Sequence, residues 1–305
     1  GGAGFIGSHL VDKLLSLGHE VIVIDNETSD GHDSYFWNKQ SQNHKLDIRN
    51  FTDIAPLFQG VDYVYHLAAK ASVQASVDNP LPTISTQVMG TANVLEAARL
   101  SGVEKLIYSS TSACYGNRNP IPNVETMRED PLNAYAIGKL SGEQLVKAYY
   151  PLYGLKTVAF RYTNVYGERA RHVGTYAPAV SKFLKMRREG DALTIFGDGM
   201  QKRDFIHVSD VVNANAVISF EELETWGEVY NIGGSLRNNC SILEAIKLIE
   251  TMTKQKMIYS FSKKNRVGDH ICYISDISKF KKHYPKWRLK YSLKDIIKQI
   301  IQEIK

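Results

Sequence analysis

The chain has 305 residues, 43% of them hydrophobic and 23% charged, with a formal charge of +5. That length supports one large or two modest domains with a substantial core. No apolar run is long enough to cross a membrane, and no repeat or low-complexity tract interrupts the chain. The mild, dispersed positive charge suits an anionic small-molecule ligand without requiring one. The densest basic run, Lys279 to Arg288, interleaves aromatics with cations. It reads as a solvated face carrying two buried aromatic rings, not as a nucleic-acid site. Cys114, Cys240 and Cys272 are odd in number and widely spaced. They suggest neither a disulfide framework nor a metal site, so a reducing, cytoplasmic setting is expected.

Gly1-Gly2-Ala3-Gly4-Phe5-Ile6-Gly7 is a glycine-rich loop that runs straight into a helix. Leu10, Val11, Leu14, Leu15 and Leu17 give that helix its apolar stripe, and Gly18 is placed to end it. Val21-Ile22-Val23-Ile24 has the continuous apolar character of a strand buried on both faces of a parallel sheet. It ends in Asp25-Asn26. Glycines allow a backbone to approach a pyrophosphate at a helix N-terminus, and an acid about 20 residues on can hold a ribose 2′-hydroxyl. The unit therefore reads as the second half of a dinucleotide-binding motif, with Asp25 favouring NAD over NADP. A strand ahead of the glycine loop is expected, because a sheet without it would leave two neighbours unpaired.

The alternation continues. A short strand is expected over residues 44–48, ending at Asp47-Ile48, where an adenine could lie. Another spans 62–67 and runs into Ala68-Ala69, small enough for close approach of a cofactor. His66 reads as a satisfied core histidine. Residues 84–100 form a long helix, residues 105–108 a strand that runs out into Ser109-Ser110-Thr111-Ser112, and residues 157–162 a further strand. Hydroxyls at the C-terminal end of a parallel strand sit where open α/β sheets bind ligands.

Tyr135 and Lys139 are four residues apart on one expected helix, hence on one face. A phenol titrates near 10 in water, and a neighbouring ammonium favours its phenolate. Such a pair can move a proton to or from a substrate hydroxyl, half of an alcohol–ketone interconversion. The hydride half needs a redox cofactor.

Beyond residue 165 strands shorten and loops lengthen. Gly197-Asp198-Gly199 reads as a turn delivering Arg203 and Phe205 to a cleft, and residues 292–304 as an amphipathic helix. The fold class expected is α/β: a doubly wound, Rossmann-type parallel sheet over residues 1–165, with a smaller, mainly substrate-binding α/β domain over 166–305. The boundary between them is not expected to be clean.

These motifs, taken in order, resemble the extended short-chain dehydrogenase/reductase superfamily, and within it the nucleotide-sugar epimerases and dehydratases of the UDP-glucose 4-epimerase type. The resemblance rests on the glycine loop with Asp25, His66-Leu67-Ala68-Ala69, Ser109 to Gly116 and Tyr135…Lys139. It continues through Arg161 to Gly167, Gly197 to Phe205 and Arg266-Val267-Gly268-Asp269. It implies NAD as cofactor, held by Gly1, Gly4, Phe5, Ile6, Gly7, Asp25, Asn26, Asp47, Ile48, Leu67, Ala68, Ala69, Tyr135, Lys139 and Tyr162. It implies Tyr135 as acid/base, Lys139 on the nicotinamide ribose, and Thr111 as the hydroxyl that bonds both sugar and tyrosine. A UDP-hexose would meet Thr111, Asn164, Arg203, Phe205, Arg266, Asp269 and Tyr273, where the bulky Tyr273 disfavours an acetamido group.

Ser112-Ala113 stand where dehydratases carry acids and where decarboxylases carry a glutamate, so the resemblance points to C4 epimerisation. Other epimerases of the scaffold, on acetamido or CDP sugars, and one-way reductases remain the alternatives. A non-catalytic NAD-binding protein is the rival of another class. Gln87, Gly138 and Ala134 depart from the family pattern of asparagine, serine and proline. The resemblance also implies a homodimer through the helices near 84–100 and 134–150, with no metal, nucleic acid or membrane partner.

Overall fold

The computed structural model describes residues 1–29, 34–170, 186, 188–221, 223–262 and 272–303. The glycine loop enters helix α1 (Phe5–Ser16), whose Leu10, Val11 and Leu14 face inward. Gly18 takes the positive φ of +87° that ends it. Strands β1 (Ile22–Asp25) and β2 (Gln42–Lys45) pair in parallel. Asp47 and Ile48 lie beyond the end of β2, not within it as the sequence suggests.

Helix α2 (Phe51–Ile54) precedes β3 (Tyr63–His66), and α3 (Val73–Asp78), α4 (Pro80–Ile84) and α5 (Gly90–Leu100) follow it. The continuous helix expected over 84–100 is instead broken by a π-helical turn at Ser85–Met89. Strand β4 (Lys105–Thr111) is buried throughout, then α6 (Ala134–Tyr153) and β5 (Lys156–Tyr162) follow.

β3, β4 and β5 pair in parallel, and the fourth strand of that sheet is β9 (Glu228–Ile232). Helix α7 (Val208–Phe220) likewise packs on α1. Residues well past 165 thus complete the first layer system, so the chain crosses between the two halves more than once. The facing edges of β1 and β3 border a cavity of about 700 Å³, which also touches Leu10, Leu14 and Tyr65.

The second half is built on β8 (Lys202–His207). It pairs with β6 (Asn164–Tyr166), with β10 (Asn239–Ser241) and with β12 (Cys272–Tyr273). A separate pair joins β7 (Leu193–Phe196) to β11 (Tyr259–Ser262). Helix α8 (Ile242–Thr253) starts with a reciprocal capping box between Ser241 and Glu244. Helix α9 (Ser278–His283) lies in the basic run, where Phe280, Tyr284 and Trp287 are all buried, three rings where the sequence suggested two. The final helix, α10 (Leu293–Glu303), buries Ile296, Ile297 and Ile300 against α8 and β8. All three cysteines are free thiols. Among the described residues no helix is long and apolar enough to cross a membrane.

Candidate active site

Two cradles meet at the C-terminal ends of the parallel strands. The first is built on the glycine loop. Gly4 caps α1 without a side-chain bond, which leaves backbone N–H groups at the helix end for an anion. A Cβ on Gly1 would sit 2.5 Å from the Ala68 nitrogen and 2.7 Å from the Leu67 carbonyl carbon; one on Gly7 would meet the Gly2 Cα at 2.8 Å. Only glycine lets the loop lie this close to the segment after β3. Asp25 ends β1 with its Oδ2 accepting from the Ala3 N–H (3.1 Å) and its Oδ1 from the Glu27 N–H (2.9 Å).

Asn26 donates to Asp47 (3.0 Å), and the Arg49 fork on Asp47 (2.7 and 3.0 Å) holds that carboxyl well below the usual range. A cavity of about 290 Å³ runs past Gly4, Ile6, Asp25, Ile48, Ala69 and Ser109. Helix-end donors for a diphosphate, a carboxylate for ribose hydroxyls and apolar walls for the flat rings fit an NAD molecule. His66 is a core side chain, its Nε2 2.9 Å from the Thr91 hydroxyl, as the sequence reading has it.

The second cradle joins β4 to α6. Asn133 caps α6 by accepting from the Ala136 N–H (2.9 Å), and the Tyr135 N–H donates to Ser76 Oγ (3.1 Å). Two anchors therefore set where the tyrosine leaves the helix. Lys139 is buried one turn on, donates to the Ser109 carbonyl (2.6 Å) and lies 4.9 Å above the Tyr108 ring. Burial pushes its ammonium down to about 7. Burial also raises the Tyr135 phenol, while a hydrogen bond with Thr111 pulls the other way. Desolvation is the larger influence on the phenol, and the Thr111 hydrogen bond opposes it. Thr111 is itself fixed, since its Oγ1 accepts from the Ala113 N–H (3.2 Å).

The remaining site residues divide. Asn164 stands at the start of β6 and donates to the Asp204 carbonyl (3.2 Å). Arg203 lies next to it on β8, where one Nη donates to the Lys202 carbonyl (2.9 Å). Phe205 departs from expectation. Its ring is buried 5.2 Å from that of Tyr166, because alternation along β8 turns it into the second core. Tyr162 lies in the first core, where its hydroxyl accepts from Asn215 Nδ2 (2.8 Å) and is also hydrogen-bonded to Ser109, which lines the cofactor cavity. Tyr273 is buried against Tyr115, ring centroids 5.8 Å apart, in a cluster with Cys114. Arg266 and Asp269, and the loop near Gly174-Thr175-Tyr176, lie outside the described residues.

Two groups that the sequence reading did not single out hold this arrangement. Asp204, fully buried, accepts from the Ser235 N–H (2.9 Å), the Ser275 N–H (3.1 Å) and the hydroxyls of Thr163 and Ser275. Burial raises its carboxyl. Glu143, also fully buried, receives the Arg161 fork (2.6 and 3.0 Å) and the Ser110 hydroxyl (2.6 Å). Asp204 had a signal in its place between Arg203 and Phe205. Glu143 had one in falling one turn beyond Lys139, on the same helix face.

A parallel α/β sheet with a helix-capped glycine loop, an acid ending the next strand and a buried Tyr/Lys pair beside a strand-end threonine defines an NAD-dependent short-chain dehydrogenase/reductase. Comparison with known proteins narrows the class. The profile of the NAD dependent epimerase/dehydratase family matches residues 1–233. The UDP-glucuronate 4-epimerase of Thermodesulfobacterium geofontis is 32% identical over 312 residues, covering 99% of this chain and 93% of that one.

Among solved structures, UDP-glucose 4-epimerase of Thermotoga maritima with UDP-glucose superimposes with a TM-score of 0.89 at 36% identity, covering 99% of this chain and 96% of that one. The Thermus thermophilus UDP-glucose 4-epimerase complex with NAD gives a TM-score of 0.89 at 31% identity, covering 100% and 97%. The chain belongs to the NAD-dependent epimerase/dehydratase family, and its cofactor is NAD.

Proposed function

We propose that this enzyme inverts C4 of a UDP-hexose of the UDP-glucose/UDP-galactose type through a transient 4-keto sugar. The observation that carries the reading is the hydrogen-bonded Thr111–Tyr135 pair beside buried Lys139, with Ser112 and Ala113 offering no acid nearby. NAD, when bound, supplies the hydride acceptor and returns the hydride, so no external reductant is consumed. Thr111 orients the sugar hydroxyl toward the Tyr135 oxygen, which accepts its proton and later gives it back. Lys139, held by the Ser109 carbonyl and charged in its protonated form, favours the phenolate through its field. Dehydration would need a further acid and base at C5–C6, and decarboxylation a group to settle the departing carboxylate; residues 112 and 113 provide neither.

On the substrate side we assign Asn164, Arg203, Arg266 and Asp269 to the nucleoside diphosphate, consistent with arginine recognition of phosphate by paired donors. Tyr273 is assigned to the floor of the sugar site. Its position against Tyr115, four residues past Thr111, supports a role in limiting the space beside the reacting sugar.

Incubating the protein with UDP-glucose, UDP-galactose, UDP-glucuronate and the two acetamido forms, without added reductant, tests the reading directly. C4 inversion of UDP-glucose and UDP-galactose is expected, and Tyr273→Ser should shift preference toward the acetamido sugars about tenfold. No C4 inversion of any of the five would end the reading, and unchanged preference in the variant would remove Tyr273 as the gate.

A homodimer is proposed as the working form. Met89 and Leu100, at either end of α5, and Ile137 and Tyr153 on α6 are large apolar side chains left exposed on neighbouring helices. Sedimentation equilibrium should return twice the monomer mass, and Ile137→Asp should shift it to the monomer. A wild-type monomer at micromolar concentration would rule out this assembly.

A further inference from the structure

The π-helical turn at Ser85–Met89 carries Gln87 inward beneath the first two turns of α6. Gln87 is 1% exposed. Its Nε2 donates to the Lys70 carbonyl (3.0 Å), on the segment that walls the cofactor cavity. Its Oε1 is buried and has no hydrogen-bond partner among the described residues. That oxygen sits where a side chain at position 138 would go. A Cβ on Gly138 would overlap Gln87 Oε1 and lie only 3.1 Å from its Cβ and 3.3 Å from its Cδ. Gly138 is the residue between Tyr135 and Lys139 that immediately precedes the lysine. The amide of Gln87 thus occupies the volume that a side chain at 138 would take.

We infer that Gln87 and Gly138 form one coupled positioning unit for the Tyr135–Lys139 turn. Gln87 ties the wall at Lys70 to the underside of α6, and Gly138 sets how closely the two approach. A side chain at 138 would push the α6 turn away from the π-helical turn or drive Gln87 off the Lys70 carbonyl. The first movement displaces Lys139 and Tyr135 from Ser109 and Thr111, the second frees the cofactor-cavity wall at Lys70, and interiors this densely packed do not absorb such overlap without one or the other. The pair acts through Tyr135 and Lys139 and touches neither substrate nor cofactor by this account. A π-turn at a functional site is a recurrent use of that distortion.

A double-mutant cycle on the NAD-loaded protein tests the coupling, using Gly138→Ala, Gln87→Asn and both together. For turnover the inference rests on the proposed sugar chemistry, so NAD affinity and melting temperature are read in parallel. Gly138→Ala is expected to lower kcat about tenfold or more with KM within threefold, and to weaken NAD about fivefold. Gln87→Asn alone should have the smaller effect. The double variant should recover to within about threefold of Gln87→Asn on both readouts, because the shorter amide clears the methyl.

If Gly138→Ala does not fold, recovery of a cooperative melt in the double variant supports the coupling, and failure to recover overturns it. Effects that multiply independently in the double variant overturn it as well. A protein that converts none of the UDP-sugars yet shows the cycle in NAD affinity would refute the proposed function and leave this inference standing.

Discussion

Tyr135→Phe is expected to lower turnover of the converted UDP-sugar by about 10² to 10⁴ while NAD remains bound, the range that a positioned proton-transfer group contributes. The variant removes one oxygen. Helix α6 keeps its anchors, since Asn133 caps through Ala136 and the residue 135 backbone still donates to Ser76. What disappears is the hydroxyl hydrogen-bonded to Thr111, the group proposed to take the sugar's proton. Stability should fall by no more than the roughly 0.5–1.5 kcal/mol of one hydrogen bond. Product formation by chromatography, with NAD occupancy read by absorbance after denaturation, checks both halves. Turnover within tenfold of wild type would mean that the proton leaves by another route.

The largest stability effect is expected at Glu143. Its carboxylate and the Arg161 guanidinium are 0% and 1% exposed and share two charge-assisted hydrogen bonds. Ser110 adds a third contact to Glu143, and Arg161 also reaches Glu129 (2.6 Å) and stacks 4.8 Å from the Tyr115 ring. Glu143→Ala leaves a buried cation with only the partly exposed Glu129 carboxylate and the Glu125 carbonyl (3.4 Å), a loss of about 3–5 kcal/mol, or on the order of 10 °C in melting temperature. Replacing both partners, Glu143→Leu with Arg161→Met, should cost less than either single alanine, since no fully buried charge is left unpaired and Glu129, which also loses Arg161, is open to solvent. Thermal melts of the three variants decide it. A Glu143→Ala variant that melts within about 2 °C of wild type would show that the pair contributes nothing net.

The network also explains how stability and chemistry meet. Ser110 precedes Thr111 on β4, Arg161 lies on β5, and Glu143 lies one turn past Lys139 on α6. One buried ion pair therefore fixes the register of the strand end against the helix that carries the proton-transfer pair.

Much of this site was legible from local pattern. The glycine loop, Asp25, the Thr111 strand end and the Tyr135–Lys139 spacing each depend on residues close in sequence, where backbone geometry dictates which side chains share a face. The run of buried residues along β4 and β5 follows for the same reason. The burial of Phe205 and Tyr162 in the two cores was not legible in this way, because which face of a strand looks into a cleft depends on the sheet it joins and on what covers it. Residues 85–89 read as plain helix, because a π-turn is decided by the α6 residues packed against it.

By itself the sequence determined the α/β alternation, the cofactor class and the spacing that sets Tyr135 and Lys139 on one helix face, since each is written in spacings of a few residues. Only the tertiary structure decided that β9 closes the first sheet and that Asp204 gathers Ser235, Ser275 and Thr163. It alone paired Glu143 with Arg161 and showed that Gln87 fills the space over Gly138. Those contacts join residues from 18 to 71 positions apart. No local periodicity encodes them; strand order, burial and the need to satisfy buried polar groups do.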